Sequence, residues 1–220
     1  MIKKLLLSLL LALSAFAGQY VLALNWYPSV CKTSHYKACK KPLPFWQTHF
    51  TLHGLWPKGR SYCGVDARSK MLDKRGLWDR IPMKPLSPEL QELLYTYMPG
   101  AVSGLHKHEW IKHGTCYSRN PEIYFLDAIA LTSQLNQTRI LRYFLDHRGK
   151  RVSTYAIRKK FDEEFFPGAG KRVRFVCKRG YLVEMRINLA GSITPKTPLY
   201  DLLKKARPTS QGCRRGRIAR

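Results

Sequence analysis

Acidic side chains are scarce in this chain: 14 Asp and Glu stand against 39 Lys and Arg, giving a formal charge of +25. That balance excludes a strongly cationic partner and points to polyanions, because Lys and Arg that neutralise phosphates release condensed counterions. Nucleic acid, anionic lipid and acidic polysaccharide all fit. Long apolar runs are missing beyond the N-terminus, which excludes a multi-span membrane protein. None of the six cysteines, at 31, 39, 63, 116, 177 and 213, forms a Cys-x-x-Cys pair, which excludes a dithiol redox motif and a zinc knuckle. Internal repeats and linkers are also missing. The chain therefore reads as one globular domain over residues 18–220.

What precedes that domain is a leader. Lys3 and Lys4 stand before an apolar run over residues 5–13, and Ala15-Phe16-Ala17 supplies the small-x-small pattern of signal peptidase cleavage. Residues 1–17 are expected to be removed as a signal peptide, with the mature protein periplasmic or secreted and not inserted in the membrane. The run is too short to span a bilayer comfortably. An even set of cysteines behind an export signal predicts disulfides, whose pairing the count leaves open. Asn136-Gln137-Thr138 is formally a glycosylation sequon.

Along the chain, residues 20–24 read as a buried strand. Residues 48–53 alternate, with Phe50 and Leu52 to be buried, Thr51 and His53 to be presented, and Gly54 and Pro57 as stops. Residues 58–86 look turn-rich. Ser87-Pro88-Glu89 and Asn120-Pro121-Glu122 signal helix starts, for helices reaching about residues 98 and 135. Residues 105–113 read as a helix ended by Gly114, and Ser153 as the cap of another reaching about residue 165. Residues 173–177 and 181–189 suggest a hairpin, and the basic tail, 214–220, looks mobile. Helices set among separated strands predict an α+β fold.

Two segments carry chemistry. The first is Phe50-Thr51-Leu52-His53-Gly54-Leu55-Trp56-Pro57. The second is His108-Glu109-Trp110-Ile111-Lys112-His113-Gly114-Thr115-Cys116. On a helix, His108, Glu109, Lys112 and His113 share one face while Trp110 and Ile111 point to a core. A lone histidine is ordinarily a solvated residue. Two histidines, a carboxylate and an ammonium together are costly as ordinary surface and difficult to bury, so they suggest a site. A zinc-protease motif would need its second histidine where Lys112 stands, and His113 sits at i+5, a poor angle, so no metal is expected. Without a metal or cofactor, His, His, Lys and Glu suit phosphodiester cleavage in RNA. The ribose 2′-hydroxyl is a nucleophile already held beside phosphorus, and histidines serve as base and acid near working pH.

Both segments resemble the two active-site signatures of the ribonuclease T2 family, in the expected order. The resemblance extends through the strand before Trp26, the Tyr124-Phe125 helix and the β-rich segment around Cys177. It implies a central antiparallel sheet flanked by several helices and stabilised by disulfides. It also implies metal-independent endoribonuclease activity through a 2′,3′-cyclic phosphate, with low base specificity. By the same resemblance His113 is the general base and His53 the general acid in the first step, exchanging roles if the cyclic phosphate is hydrolysed. Lys112 and Glu109 would stabilise the transition state, His108 would hold the phosphate, and Trp56 would pack on a base or wall the cleft. The implied disulfides are Cys31-Cys39, Cys63-Cys116 and Cys177-Cys213. Some relatives carry an acidic residue where this chain has Lys58, so base preference is not carried over.

A metal-dependent nuclease and a basic protein acting through charge alone are the competing readings. A chelator tests the first and double histidine substitution the second. The positive field, with Lys112 nearest, is expected to lower both histidine pKa values and move activity toward acid. RNA is the expected substrate, cut more slowly as salt rises. DNA should bind without cleavage, for want of the 2′-hydroxyl, and the protein is expected to be a monomer.

Overall fold

Alternating apolar residues build the sheet that carries the site. The computed structural model describes residues 18–220, and the leader expected over 1–17 lies outside the described residues. In order, the elements are β1 (Gln19–Trp26), α1 (Tyr27–Thr33), α2 (Pro44–Thr48), β2 (Phe50–Pro57), α3 (Ala67–Lys74), α4 (Pro88–Tyr97), α5 (Leu105–Lys112), α6 (Pro121–Asn136), α7 (Arg139–Asp146), β3 (Arg151–Ser153), α8 (Thr154–Glu164), β4 (Val173–Lys178), β5 (Tyr181–Ala190), α9 (Leu199–Lys205) and β6 (Arg215–Arg217). Strands β2, β1, β5 and β4 lie side by side, all antiparallel. β6 meets β5 through one parallel pair, Tyr181 with Arg217, and pairs antiparallel with β3. This is the α+β, disulfide-linked fold the sequence predicts.

Leu22, Leu24 and Trp26 of β1, with Phe50, Leu52 and Leu55 of β2, face a core completed by Tyr124, Phe125, Ala128, Leu131 and Leu135 of α6. Each large side chain buried this way contributes roughly 1.5–3 kcal/mol, so α6 is anchored firmly across β2. Asn120 caps α6 as expected, its side chain accepting from the Glu122 N–H. Ser87 does not cap α4 through its side chain. Its own N–H instead donates to the Glu122 carboxylate, tying the starts of α4 and α6 together. At the far end of α6 the Asn136 amide accepts from the Phe50 N–H and donates to the Phe50 carbonyl. The side chain of the sequon is thus committed to holding β2.

Several elements differ from the sequence expectation. β2 does not stop at Gly54. Its pairing with β1 passes from Ala23–Gly54 to Leu24–Leu52, leaving His53 as the extra residue of a β-bulge. Thr51, expected to be presented, is fully buried, its hydroxyl donating to the Asn25 carbonyl of β1. The 58–86 stretch contains α3, capped by the Asp66 side chain. α7, unforeseen, buries Ile140, Leu141 and Phe144. The tail is pinned: Ile218 is 0% exposed, the Ala219 carbonyl accepts from Trp26 Nε1, and β6 closes on β3. Burial of two apolar residues between basic ones outweighs the solvation that suggested mobility.

Candidate active site

The bulge in β2 decides where the first histidine goes. An extra residue breaks strict alternation and re-aims the local side chains, so the core-facing row passes from Leu52 to Leu55 and His53, between them, is turned toward Glu109 of α5. The second signature lies on α5, whose last residue is Lys112. His113 is the C-cap, and its N–H still donates to the Glu109 carbonyl at 3.0 Å. The disulfide Cys63–Cys116 links the chain after β2 to the turn after α5. Beside it the Tyr62 N–H donates to the Lys112 carbonyl at 2.9 Å. The other disulfides join Cys31 to Cys39 and Cys177 to Cys213.

Glu109 stands at the centre, 1% exposed. Its Oε2 accepts from Trp56 Nε1 at 2.7 Å, and its Oε1 lies 3.6 Å from His53 Nε2 and 3.8 Å from His108 Nε2. Burial pushes this carboxyl up, against the lowering influence of His53, His108, Trp56 and Lys112. Trp56 has a histidine on either side, His53 at 5.3 Å edge-on and His113 at 5.4 Å tilted, while the Arg186 guanidinium lies 5.1 Å over its ring. The indole therefore braces the site, touching Glu109 and both histidines. Lys112 makes no ion pair among the described residues and acts on Glu109 and His113 through its field.

Only small backbone fits beneath this arrangement. A Cβ at Gly54 would lie 2.0 Å from Glu109 Oε2 and 2.6 Å from Trp56 Nε1. Gly54→Ala should therefore push the carboxylate and indole aside, and a displacement near 1 Å costs on the order of 10²-fold in kcat. Steady-state kinetics on RNA, with circular dichroism to show the variant is folded, check this. Wild-type kcat would mean that Glu109 and Trp56 need not hold these positions.

The sequence did not reveal three partners. His53 Nδ1 lies 2.6 Å from Glu184 Oε2, and the other Glu184 oxygen accepts from Arg186. His108 Nδ1 lies 2.6 Å from Asp73 Oδ1, and Asp73 also accepts from the Tyr62 hydroxyl at 2.6 Å. The Trp78 ring stacks on His108 with centroids 4.8 Å apart. Four of the chain's 14 acidic residues are buried, and Asp73, Glu109 and Glu184 are three of them. In a chain so poor in acids, three of the four buried carboxyls thus stand against histidines of the site. The period-two row Glu184, Arg186, Asn188 in an apolar strand was the one available signal.

The two histidines are displaced in opposite directions. Burial, then the charges of Lys112, His108 and His53, push His113 down to about 3. Burial also opposes charge on His53, but the Glu184 hydrogen bond and the Glu109 and Glu184 carboxylates outweigh it, and its pKa is raised. The sequence expectation that both fall is corrected for His53, because these carboxylates lie far away in sequence. His113 is thus neutral and able to accept a proton where His53 is charged and able to give one.

A cavity of about 310 Å³ opens beside His53 and His108, lined also by Trp78, Glu184, Arg186 and Asn25 among others. Lys58 is not part of it and stands near Arg207, whose charge together with burial lowers its pKa. Among the described residues no group of three His, Cys, Asp or Glu side chains is disposed to hold a metal ion, and no helix is long and apolar enough to cross a membrane.

Comparison with known proteins gives a consistent result. The model of the ribonuclease T2 family matches residues 17–197. Ribonuclease I of Escherichia coli is 29% identical over 229 aligned residues, which cover 88% of this chain and 83% of that protein. The crystal structure of the self-incompatibility associated SF11-RNase of Nicotiana alata matches with a TM-score of 0.62 at 19% identity, over 93% of this chain and 100% of that one. A ribonuclease MC1 variant in complex with 5′-GMP gives 0.57 at 21% identity, over 91% and 99%. The two structural likenesses are likenesses of fold.

Proposed function

The chain belongs to the ribonuclease T2 family and is an endoribonuclease of that type, and from this premise we propose that it cleaves single-stranded RNA without a metal, with His113 as general base and His53 as general acid. The observation that carries the assignment is the opposite displacement of the two histidines on either side of Trp56. His113 takes the proton of the ribose 2′-hydroxyl as its oxygen bonds to phosphorus. His53 gives a proton to the 5′-oxygen as the P–O5′ bond breaks, leaving a 2′,3′-cyclic phosphate. Each transfer is worth ~10²–10⁴-fold in rate. In hydrolysis of the cyclic ester the roles reverse: His53 takes a proton from water and His113 protonates the 2′-oxygen.

Lys112 would neutralise charge gathering on the phosphorane oxygens. Glu109, its carboxyl pushed up by burial and held by Trp56 Nε1, would help stabilise the same transition state, and His108, braced by Asp73 and Trp78, would hold the phosphate in the ground state. The same reading makes the mature protein an exported, periplasmic or secreted monomer of low base specificity that binds DNA without cutting it.

The test is incubation of the oxidised, folded protein with single-stranded RNA in excess EDTA at mildly acidic pH, beside a DNA of the same sequence. Cyclic phosphate ends on RNA and intact DNA are expected. RNA left whole in EDTA but cut on return of a divalent cation would replace this mechanism with a metal-dependent one.

A further inference from the structure

The proposed mechanism leaves unexplained a buried carboxylate aimed at the acid. Glu184 is 5% exposed on β5, in the register Asn25–Glu184, so it sits two strands from β2 and its side chain crosses β1 to reach the bulge. A buried carboxylate is costly unless both oxygens are met. Here one meets His53 Nδ1 at 2.6 Å and the other meets Arg186.

The geometry points to Glu184 as the positioning residue of the general acid: it holds His53 through Nδ1, leaves Nε2 to face the leaving oxygen, and keeps the imidazole charged until the proton is needed. This rests on the reading of His53 as the acid. With Nδ1 committed, Nε2 is the free nitrogen, and it is the one near Glu109 in the cleft. When His53 gives up the Nε2 proton, the Nδ1 proton stays on the ring and is donated in a hydrogen bond to Glu184, so the neutral ring is left in the tautomer that can take a proton from water at Nε2 in the second step. The balance of charge around His53 is set by Glu109, His108, Lys112 and His113 from α5 and its cap, and by Glu184 and Arg186 from β5. Burial and the Arg186 charge oppose the imidazolium, and the carboxylates outweigh them. Arg186, stacked over Trp56, holds the second carboxylate oxygen and limits how far Glu184 raises His53.

The experiment separates positioning of an acid from general support of the fold. Glu184→Gln, Arg186→Gln and His53→Ala are compared on a dinucleoside phosphate, whose alkoxide must be protonated as it leaves, and on a ribonucleoside 3′-(p-nitrophenyl phosphate), whose phenolate needs no proton. Glu184→Gln should move the alkaline limb of kcat/KM toward acid by about one pH unit and slow the dinucleotide about tenfold at neutral pH, with KM and aryl ester cleavage unchanged. Arg186→Gln should move the same limb the other way. Equal losses on both substrates with the alkaline limb in place in Glu184→Gln would show a purely structural role. An Arg186→Gln limb that fails to rise would overturn the proposal even if Glu184→Gln did not fold. If His53→Ala lost the aryl ester as severely as the dinucleotide, the assignment of the acid itself would fall, whatever Glu184 did.

Discussion

Replacing His113 by alanine should lower kcat on single-stranded RNA by ~10²–10⁴-fold while the protein stays folded, the cost of losing one general base. The pH profile makes the expectation specific. In the wild type the acid limb is where His113 gains a proton, and its pKa is held down to about 3 by burial and by Lys112, His108 and His53. The base therefore remains neutral as pH falls well below the ordinary imidazole range. The alkaline limb is where His53 loses its proton, and that limb is displaced upward. The profile should thus be broad, widened on both sides, and not merely shifted toward acid. His113→Ala should remove the acid limb and leave the alkaline one. It should also slow the p-nitrophenyl ester, since attack by the 2′-hydroxyl needs a base whatever group leaves. A wild-type acid limb near pH 6 would contradict the buried setting of His113. Retention of rate in the variant would move the base elsewhere.

Removing the Cys63–Cys116 disulfide, as a double alanine variant, should lower stability by about 4 kcal/mol, the loop-closure value for a sequence separation of 53. The loss should exceed that from Cys31–Cys39, whose separation is only 8. Activity should fall before the fold does. This link fixes the chain leaving β2, which carries His53, against the turn that follows His113. The Tyr62 N–H to Lys112 carbonyl bond and the Tyr62 hydroxyl on Asp73 lie along the same path. With the link cut, the separation of acid and base is set by packing alone, and small displacements are expensive in catalysis. Thermal unfolding, together with kcat measured far below the melting temperature, tests both parts. Loss of stability at unchanged kcat would show that β2 and α5 hold the histidines without it.

Local pattern made much of the scaffold legible. The apolar runs of β1, β4 and β5, the alternation at the start of β2, and the Asn120-Pro121 start of α6 all mark elements found in place. α5 was readable because His108, Glu109 and Lys112, with His113 at its cap, recur at helical spacing, which puts them on one face wherever the helix packs. Helices α3 and α7 were hidden because short amphipathic segments in a basic chain look like loops until a core is there to receive Leu72, Ile140 and Phe144. The tail misled for a related reason, since flanking arginines masked Ile218 and Ala219, whose burial depends on β3 and Trp26.

What the sequence determined by itself was the chemical inventory and its local spacing: His53 on a strand, His108, Glu109, Lys112 and His113 around one helix end, a large cationic excess, and cysteines enough to hold them. Those follow from short-range geometry, which the chain carries with it. What only the tertiary structure decided was which side chains the site's histidines meet, and with them the proton affinities of His53 and His113. Glu184 stands 131 residues from His53 and Asp73 stands 35 from His108, and no periodicity reports contacts of that range. The sheet register brings the first carboxylate across β1, and the packing of α3 against α5 brings the second. Burial strengthens the pull of Glu184 on His53 by removing the water that would screen it, while His113, buried beside Lys112 with no carboxylate partner among the described residues, stays without a proton.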